Sequence, residues 1–318
     1  MKHYFITNPA AGKKNSCEEL RERIISAATE CGADFEIYET TSAGDATHFV
    51  RETCENTPDV QKRFYACGGD GTLNEVVSGA VGQKNASVGL IPAGSGNDFA
   101  RNFENNELFF DIKAQIEGEE TPVDVLALND KYAINMVNIG FDCEVVKRMV
   151  RIKRSPLCPA GLAYIFGLVM TLITKPGVKV EISVDGGEYK KYDLLLCTNA
   201  NGCYCGGGFH SNPHALLTDG KINFLFVNNV SRIRFLTLVS SYKKGTHICE
   251  KNAKILSSGS CSTIDMRFEG IQSVSIDGEV TDIDRELHFS IRHGGLSFVI
   301  PKGSAFLKEQ PILDKATV

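Results

Sequence analysis

Gly68-Gly69-Asp70-Gly71-Thr72 follows a short apolar segment and runs straight into a helical pattern. A glycine turn that leaves a strand and opens a helix points backbone N–H groups at the helix N-terminus, where the macrodipole also favours an anion. Phosphate is the natural occupant. Leu73, Asn74 and Glu75 form the first helical turn, and Asp70 is placed to hold a metal or to orient a phosphate through one. Alone, the stretch could be nothing more than a tight strand-to-helix turn. It is not alone. IPAGSGNDFAR (Ile91 to Arg101) repeats the arrangement, and NPAAGKKN (Asn8 to Asn15) is a third instance, with Lys13 and Lys14 beside it. Three such turns at the carboxyl ends of strands in one α/β sheet converge on the crevice where ligands bind. No standard fingerprint fits: the first loop lacks the lysine and hydroxyl spacing of a P-loop, and neither glycine pair, Gly69/Gly71 nor Gly94/Gly96, has the third glycine of a dinucleotide site. Spacing therefore yields a nucleotide or phosphate site and goes no further.

Phosphoryl transfer needs in-line positioning, a metal and donors for the phosphate charge, and one carboxylate to receive a hydroxyl proton. Asp70, Asp98, Asp124, Asp219, Asp277 and Glu279 are the candidates for that network. Each by itself could be a turn or capping carboxylate, and Asp277-Gly278 could be a plain hairpin turn.

The elements that must position these residues change in texture along the chain. The first part alternates strand HYFIT, a helix from Ser16 stopped at Gly32, strand DFEIY, a helix over Asp45 to Asn56, strand RFYAC, a helix over Thr72 to Gly79, and strand SVGLI. This order predicts a parallel sheet flanked by helices, a three-layer α/β domain over residues 1–125. Beyond it lie strand-like runs VDVLAL, KYAINMVNIG, VKVEISV, YDLLLCTN, KINFLFV, SVSID, ELHFSI and LSFVI, punctuated by turn signals at Asp185-Gly186-Gly187 and His293-Gly294-Gly295. They predict a β-rich antiparallel sandwich over 126–299, interrupted by helices at Gly161 to Thr174 and Ile233 to Tyr242. The segment 300–318 is expected to return to the first domain.

Composition bounds the rest. The chain has 318 residues, a formal charge of −5 and 23% charged side chains, which argues against a surface built to neutralise nucleic acid. Eleven scattered cysteines and no secretory leader read as reduced thiols in a cytoplasm.

The motifs NPAAGK, GGDGTLNEV, PAGSGNDFAR, CTNANGCYCGGGFHSNPHALLTDGKINFLFV and SIDGE, in that order from Asn8 to Glu279, resemble the diacylglycerol kinase catalytic-domain family, kin to sphingosine and ceramide kinases. The resemblance implies an N-terminal nucleotide-binding domain, a β-rich second domain, and ATP held in the cleft between them. ATP contacts would fall on Asn8, Pro9, Ala10, Ala11, Gly12, Thr40, Gly68 to Glu75, and Ser95, where many relatives carry threonine. A structural Mg²⁺ would sit on Asp219 with main-chain oxygens of Leu216 and Lys221, and the proton acceptor would be Asp277 or Glu279. The implied reaction is ATP-dependent phosphorylation of a lipid hydroxyl, with diacylglycerol giving phosphatidate. Alternatives are another lipid of sphingoid type, a soluble acceptor such as NAD, and a nucleotide-binding regulatory protein without catalysis.

Three further signals stand beside this reading. Cys203, Cys205, His210 and His214 form a C-x-C-x4-H-x3-H pattern that could bind zinc, although structural sites favour wider cysteine spacing. KRMVRIKR, with five basic residues in eight, precedes the uncharged stretch Ser155 to Thr174. The pair could be a solvated face and a core helix, or could dock on an anionic membrane, where each basic residue contributes about 1 kcal/mol. The second alternative makes the protein peripheral at the inner membrane face, with Leu162, Tyr164, Phe166, Leu168, Met170 and Leu172 lining an acyl hollow. KINFLFV, if at a sheet edge, could pair across a homodimer.

Overall fold

The computed structural model describes residues 1–9, 16–94, 97–153, 170–174 and 177–307, with the side chains of 16 and 149–153 excepted. Of the residues singled out above, Ala10, Ala11, Gly12, Lys13, Lys14, Asn15, Ser95, Gly96, Arg154, the uncharged stretch through 169 and the tail from 308 lie outside them.

The chain forms two compact units. The first comprises Met1–Val125 together with the segment that begins at Arg292, and the second comprises Leu126–Ile291. The chain thus re-enters the first unit some residues earlier than position 300.

In the first unit, β1 (Lys2–Thr7), β2 (Asp34–Glu39), β3 (Lys62–Gly68) and β4 (Ala86–Pro92) are parallel in the order β2-β1-β3-β4. Every residue of β3 and β4 is buried, as expected of parallel strands covered on both faces. Helix α1 (Ser16–Glu30) lays Leu20, Ile24 and Ala28 on Phe5, Tyr65 and Cys67, together with Ile112 of the short helix α4 (Ile112–Ile116). Helices α2 (Asp45–Asn56) and α3 (Asp70–Ala80) cover the other face, where Phe49 stacks edge-on to Tyr4. They pack closely because Gly79 has no side chain: a Cβ there would lie 2.7 Å from the Thr47 carbonyl. Three layers result. After β4, β5 (Phe103–Glu104) completes a small ribbon with a strand near the chain's end.

The second unit is antiparallel. β6 (Glu119–Leu128) enters it and pairs with β7 (Lys131–Ala133). β8 (Met136–Gly140), β9 (Val178–Val184), β10 (Lys190–Ala200), β11 (Ile222–Asn228), β12 (Leu256–Cys261), β13 (Thr263–Phe268), β14 (Gln272–Ile276), β15 (Glu279–Ile283) and β16 (Glu286–Ile300) follow. Pairing runs β15-β14-β8-β10-β9-β13-β16, with β11 and β12 joined through β10. A core of Leu126, Val137, Ile139, Val180, Leu194, Phe224, Phe226, Ile264, Met266, Val274 and Phe289 lies within these strands. Helices α5 (Phe141–Lys153) and α6 (Arg232–Lys244) share a second cluster built on Phe141, Val145, Leu196, Leu225 and Phe235. β17 (Ala305–Phe306) is the strand that pairs with β5.

One open reading gains its setting and three expectations are corrected. The basic run KRMVRIKR is for the most part the body of α5, a helix that opens at Phe141 directly after β8. KYAINMVNIG is not one strand, because its central amides turn aside to a carboxylate described below. His293-Gly294-Gly295 is not a turn: β16 runs through it, and Asp124 accepts the Gly294 amide at 2.7 Å and meets His293 Nδ1 at 2.8 Å. β11, the KINFLFV strand, is paired on one side with β10 and on the other with β12, so it offers no edge to a second copy.

Candidate active site

In the first unit, three of the predicted loops meet. The carbonyl of Gly68 accepts both Ala93 N–H, at 2.9 Å, and Gly94 N–H, at 3.2 Å. The Asp70 carboxylate accepts Asp98 N–H at 3.1 Å, and Asn8 Nδ2 donates to Thr72 Oγ1 at 3.3 Å. These bonds link the ends of β1, β3 and β4. The glycines explain how the loops come so close: a Cβ on Gly94 would lie 2.6 Å from Gly69 Cα, and one on Gly68 would lie 2.3 Å from Thr72 Oγ1. Backbone meets backbone here. Gly69 is the N-cap of α3 and brings no side-chain oxygen to the first helical amides, which leaves that end suited to an external anion.

The neighbours of this corner have defined tasks. Thr40, buried, ties the end of β2 to β1 by donating from its amide and its hydroxyl to the Thr7 carbonyl. Glu75 Oε2 accepts Ala46 N–H at 3.3 Å, so it fastens α3 to the start of α2. Buried Asp98 pairs with Arg101 at 3.4 Å. Pro9 is exposed in the turn after β1. Asp124 is fully buried on the His293-Gly294 stretch of β16, where it holds that strand's course.

In the second unit, Asp277 and Glu279 differ sharply. Asp277 is buried and accepts three backbone amides: Ile134 N–H on Oδ2 at 2.8 Å, and Asn135 and Met136 N–H on Oδ1 at 3.0 and 2.9 Å. Its own amide returns a bond to the Met136 carbonyl at 3.0 Å. With φ of 45° and 89°, Asp277 and Gly278 form the tight turn that their sequence suggests between β14 and β15. The same residue is therefore hairpin turn and carboxylate anchor. Glu279, two residues on, is exposed at the start of β15.

The loop from Asn201 to Lys221 is fastened to the same amide cradle. Asn201 and Gly202 N–H donate to the Asn135 carbonyl at 2.8 and 2.9 Å, and Asn135 Nδ2 donates to the Tyr204 carbonyl at 2.9 Å. Buried Asn212 accepts Thr198 Oγ1 and donates to Asn223. At the loop's end, exposed Asp219 accepts Lys221 N–H at 2.9 Å, with Leu216 part-buried on the same turn. A carboxylate and nearby carbonyls on a tight loop are the hard oxygen donors that Mg²⁺ takes. Among the described residues no group of three or more His, Cys, Asp or Glu side chains is arranged to hold a metal. Cys203 donates to the Ala215 carbonyl, and His210 stacks on Tyr204.

Sequence reasoning missed two features. The amides of Ile134 to Met136 carry no signal, since any side chain supplies an N–H. The second is Asp142, whose carboxylate accepts Tyr242 Oη–H at 3.0 Å inside a small apolar slot between α5 and α6. Desolvation pushes Asp142 up to about 6, and burial beside that carboxylate pushes the Tyr242 phenol up as well.

Residues 2–128 match the family model described as the diacylglycerol kinase catalytic domain, and residues 135–285 match the one described as the YegS C-terminal NAD kinase beta sandwich-like domain. Each half of the chain thus matches a domain of the diacylglycerol kinase and lipid kinase family. This is a family of lipid kinases, phosphotransferases whose acceptor is an alcohol. The resemblance read from GGDGTLNEV and SIDGE is borne out. Among similar proteins, the diacylglycerol kinase of Bacillus subtilis (strain 168) is 27% identical over 293 residues, 89% of this chain and 94% of that protein. A Chromohalobacter salexigens protein named "Probable lipid kinase YegS-like" is 26% identical over 304 residues, 94% of each chain. A crystal structure of a diacylglycerol kinase from Bacillus anthracis str. Sterne has a TM-score of 0.66 at 21% identity, covering 94% of this chain and 96% of that one, and shares the fold.

Proposed function

We propose that this protein is an ATP-dependent kinase that phosphorylates a lipid hydroxyl, with diacylglycerol giving phosphatidate. The observation that carries the reading is the glycine corner of the first unit, where the Gly68, Gly69 and Gly94 backbones approach at the N-terminus of α3. Such a corner suits the phosphates of a nucleotide. Asn8, Asp70 and Thr72 brace the loops around it.

In this reading the lipid hydroxyl attacks the γ-phosphorus of ATP, the bond to the β-bridging oxygen breaks, ADP leaves, and the hydroxyl proton passes to a carboxylate. Glu279 takes that proton. It is exposed, whereas the lone pairs of Asp277 are directed at three amides. Asp277 is then the positioning residue that fixes the hairpin on which Glu279 stands. Mg²⁺ fits the turn of Leu216, Asp219 and Lys221, and when bound it would supply positive charge.

The test is incubation of the purified protein with γ-labelled ATP, Mg²⁺ and a panel of lipids in mixed micelles, with NAD alongside. Label in phosphatidate supports the reading. Label in NADP, or in no acceptor while ATP still binds, refutes it.

A further inference from the structure

Helix α6 is apolar on two sides. Its inner side puts Phe235 and Leu238 into the core, with Val239 and Tyr242 packed against it. Its outer side carries Ile233 and Leu236, which are 78% and 56% exposed. Residues 170–174 lie against this helix, because the Arg232 guanidinium donates to the Leu172 and Ile173 carbonyls at 3.0 and 2.8 Å. They add Met170 and Ile173, which are 48% and 61% exposed. Four large apolar side chains therefore stand in water on neighbouring elements, although both elements already bury other side chains in the core.

The charge on this helix has one sign. Helix α6, RIRFLTLVSSYKK, contains four basic residues and no acidic one. At about 100° per residue, Arg232, Ile233, Leu236, Lys243 and Lys244 fall within one arc of about 120°. No ion pair engages Arg232, Arg234, Lys243 or Lys244 among the described residues, and Arg232 spends its hydrogen bonds on carbonyls. Exposed apolar side chains flanked by unpaired cations suit an interface with apolar depth and anionic headgroups.

We propose that the outer face of α6, with residues 170–174, docks the protein on an anionic lipid bilayer. Ile233, Leu236, Met170 and Ile173 enter the acyl boundary, and the lysines meet lipid phosphates. The proposal rests on the lipid-kinase reading for the source of the bilayer, and its test uses no ATP. The full chain would be sedimented with phosphatidylcholine vesicles with and without phosphatidylglycerol, beside an Ile233→Glu/Leu236→Glu variant and a Lys243→Glu/Lys244→Glu variant. Circular dichroism would confirm that both fold.

Expected is salt-sensitive binding that requires phosphatidylglycerol and falls about tenfold or more in each variant. Equal binding by wild type and both variants, or no vesicle binding at all, overturns the proposal. So does a shift from dimer to monomer in the apolar variant by light scattering, which would make the face a contact between copies. Turnover of a short-chain diacylglycerol dispersed in detergent separates the two readings. Turnover with wild-type docking in both variants sinks the docking face alone, and vesicle binding without any lipid turnover sinks the kinase reading alone.

Discussion

Replacing Asp277 by Asn should cost stability first. Asparagine tolerates the positive φ of 45° at this position, so the substitution leaves the turn intact and reads the carboxylate alone. One oxygen is lost. Whichever way the amide is turned, an NH₂ faces at least one of the amides of Ile134, Asn135 and Met136 that the carboxylate now accepts. A buried donor left facing a donor costs about 1–3 kcal/mol, and each remaining bond loses about 1 kcal/mol when the acceptor loses its charge. The sum is about 3–5 kcal/mol, which at a urea slope of about 2–3 kcal/mol/M lowers the unfolding midpoint by about 1–2 M. Far-UV circular dichroism against urea at neutral pH measures it, with Glu279→Gln as the companion. Glu279 is exposed, so its variant should unfold within about 0.5 kcal/mol of wild type while losing about 10²-fold or more in turnover. An Asp277→Asn protein with an unchanged midpoint, beside a fully active Glu279→Gln protein, would refute the assignment of both roles.

Gly94→Ala should weaken ATP about tenfold or more, because the new Cβ meets the Gly69 backbone at 2.6 Å; Gly270→Ala, with nothing within 4 Å, should leave affinity unchanged, and titration calorimetry compares the two. Asp219→Asn should raise the Mg²⁺ concentration needed for half-maximal turnover without moving the thermal midpoint, since the side chain is exposed. Asp142→Asn should stabilise the protein at neutral pH. A carboxyl raised from 3.8 to about 6 in the folded state costs up to about 3 kcal/mol above pH 6, and that cost fades as pH falls toward 3.8. The variant's advantage should therefore be largest above pH 6 and vanish near pH 4 in denaturation series across pH. His3 and His247 act oppositely. Burial lowers each from 6.5 to about 4, so stability that is full above pH 6.5 should be lost as pH falls from 6.5 to 4, in wild type and variant alike.

How much could be read from the sequence depended on where each element's partners lie. The first unit was legible because parallel strands buried on both faces, such as Phe64 to Cys67, and helices with a stripe like Leu20, Ile24 and Ala28 announce themselves locally. Its glycine turns were legible for the same reason. The second unit was less so. LSSGSC has no apolar alternation and is a strand only because β11 presents a partner along it. The course of β16 through His293 and Gly294 depends on Asp124, a residue 169 and 170 positions away. The roles of Asp277 and Glu279 could not be separated from SIDGE, because what distinguishes them is three amides supplied by a distant segment.

That distance also sets an order of assembly. The Asp277-Gly278 turn can close within a few residues as soon as it is made, yet the amides its carboxylate needs lie 141 to 143 positions earlier in the chain. Contacts of such separation form late, after the intervening strands have paired. During synthesis the amides of Ile134 to Met136 must wait for nearly half the polypeptide before their acceptor emerges. The first unit waits longer still, because Val299 of its core and the part of β16 that pairs with β4 are made after the hairpin, so both units close only when nearly the whole chain is present.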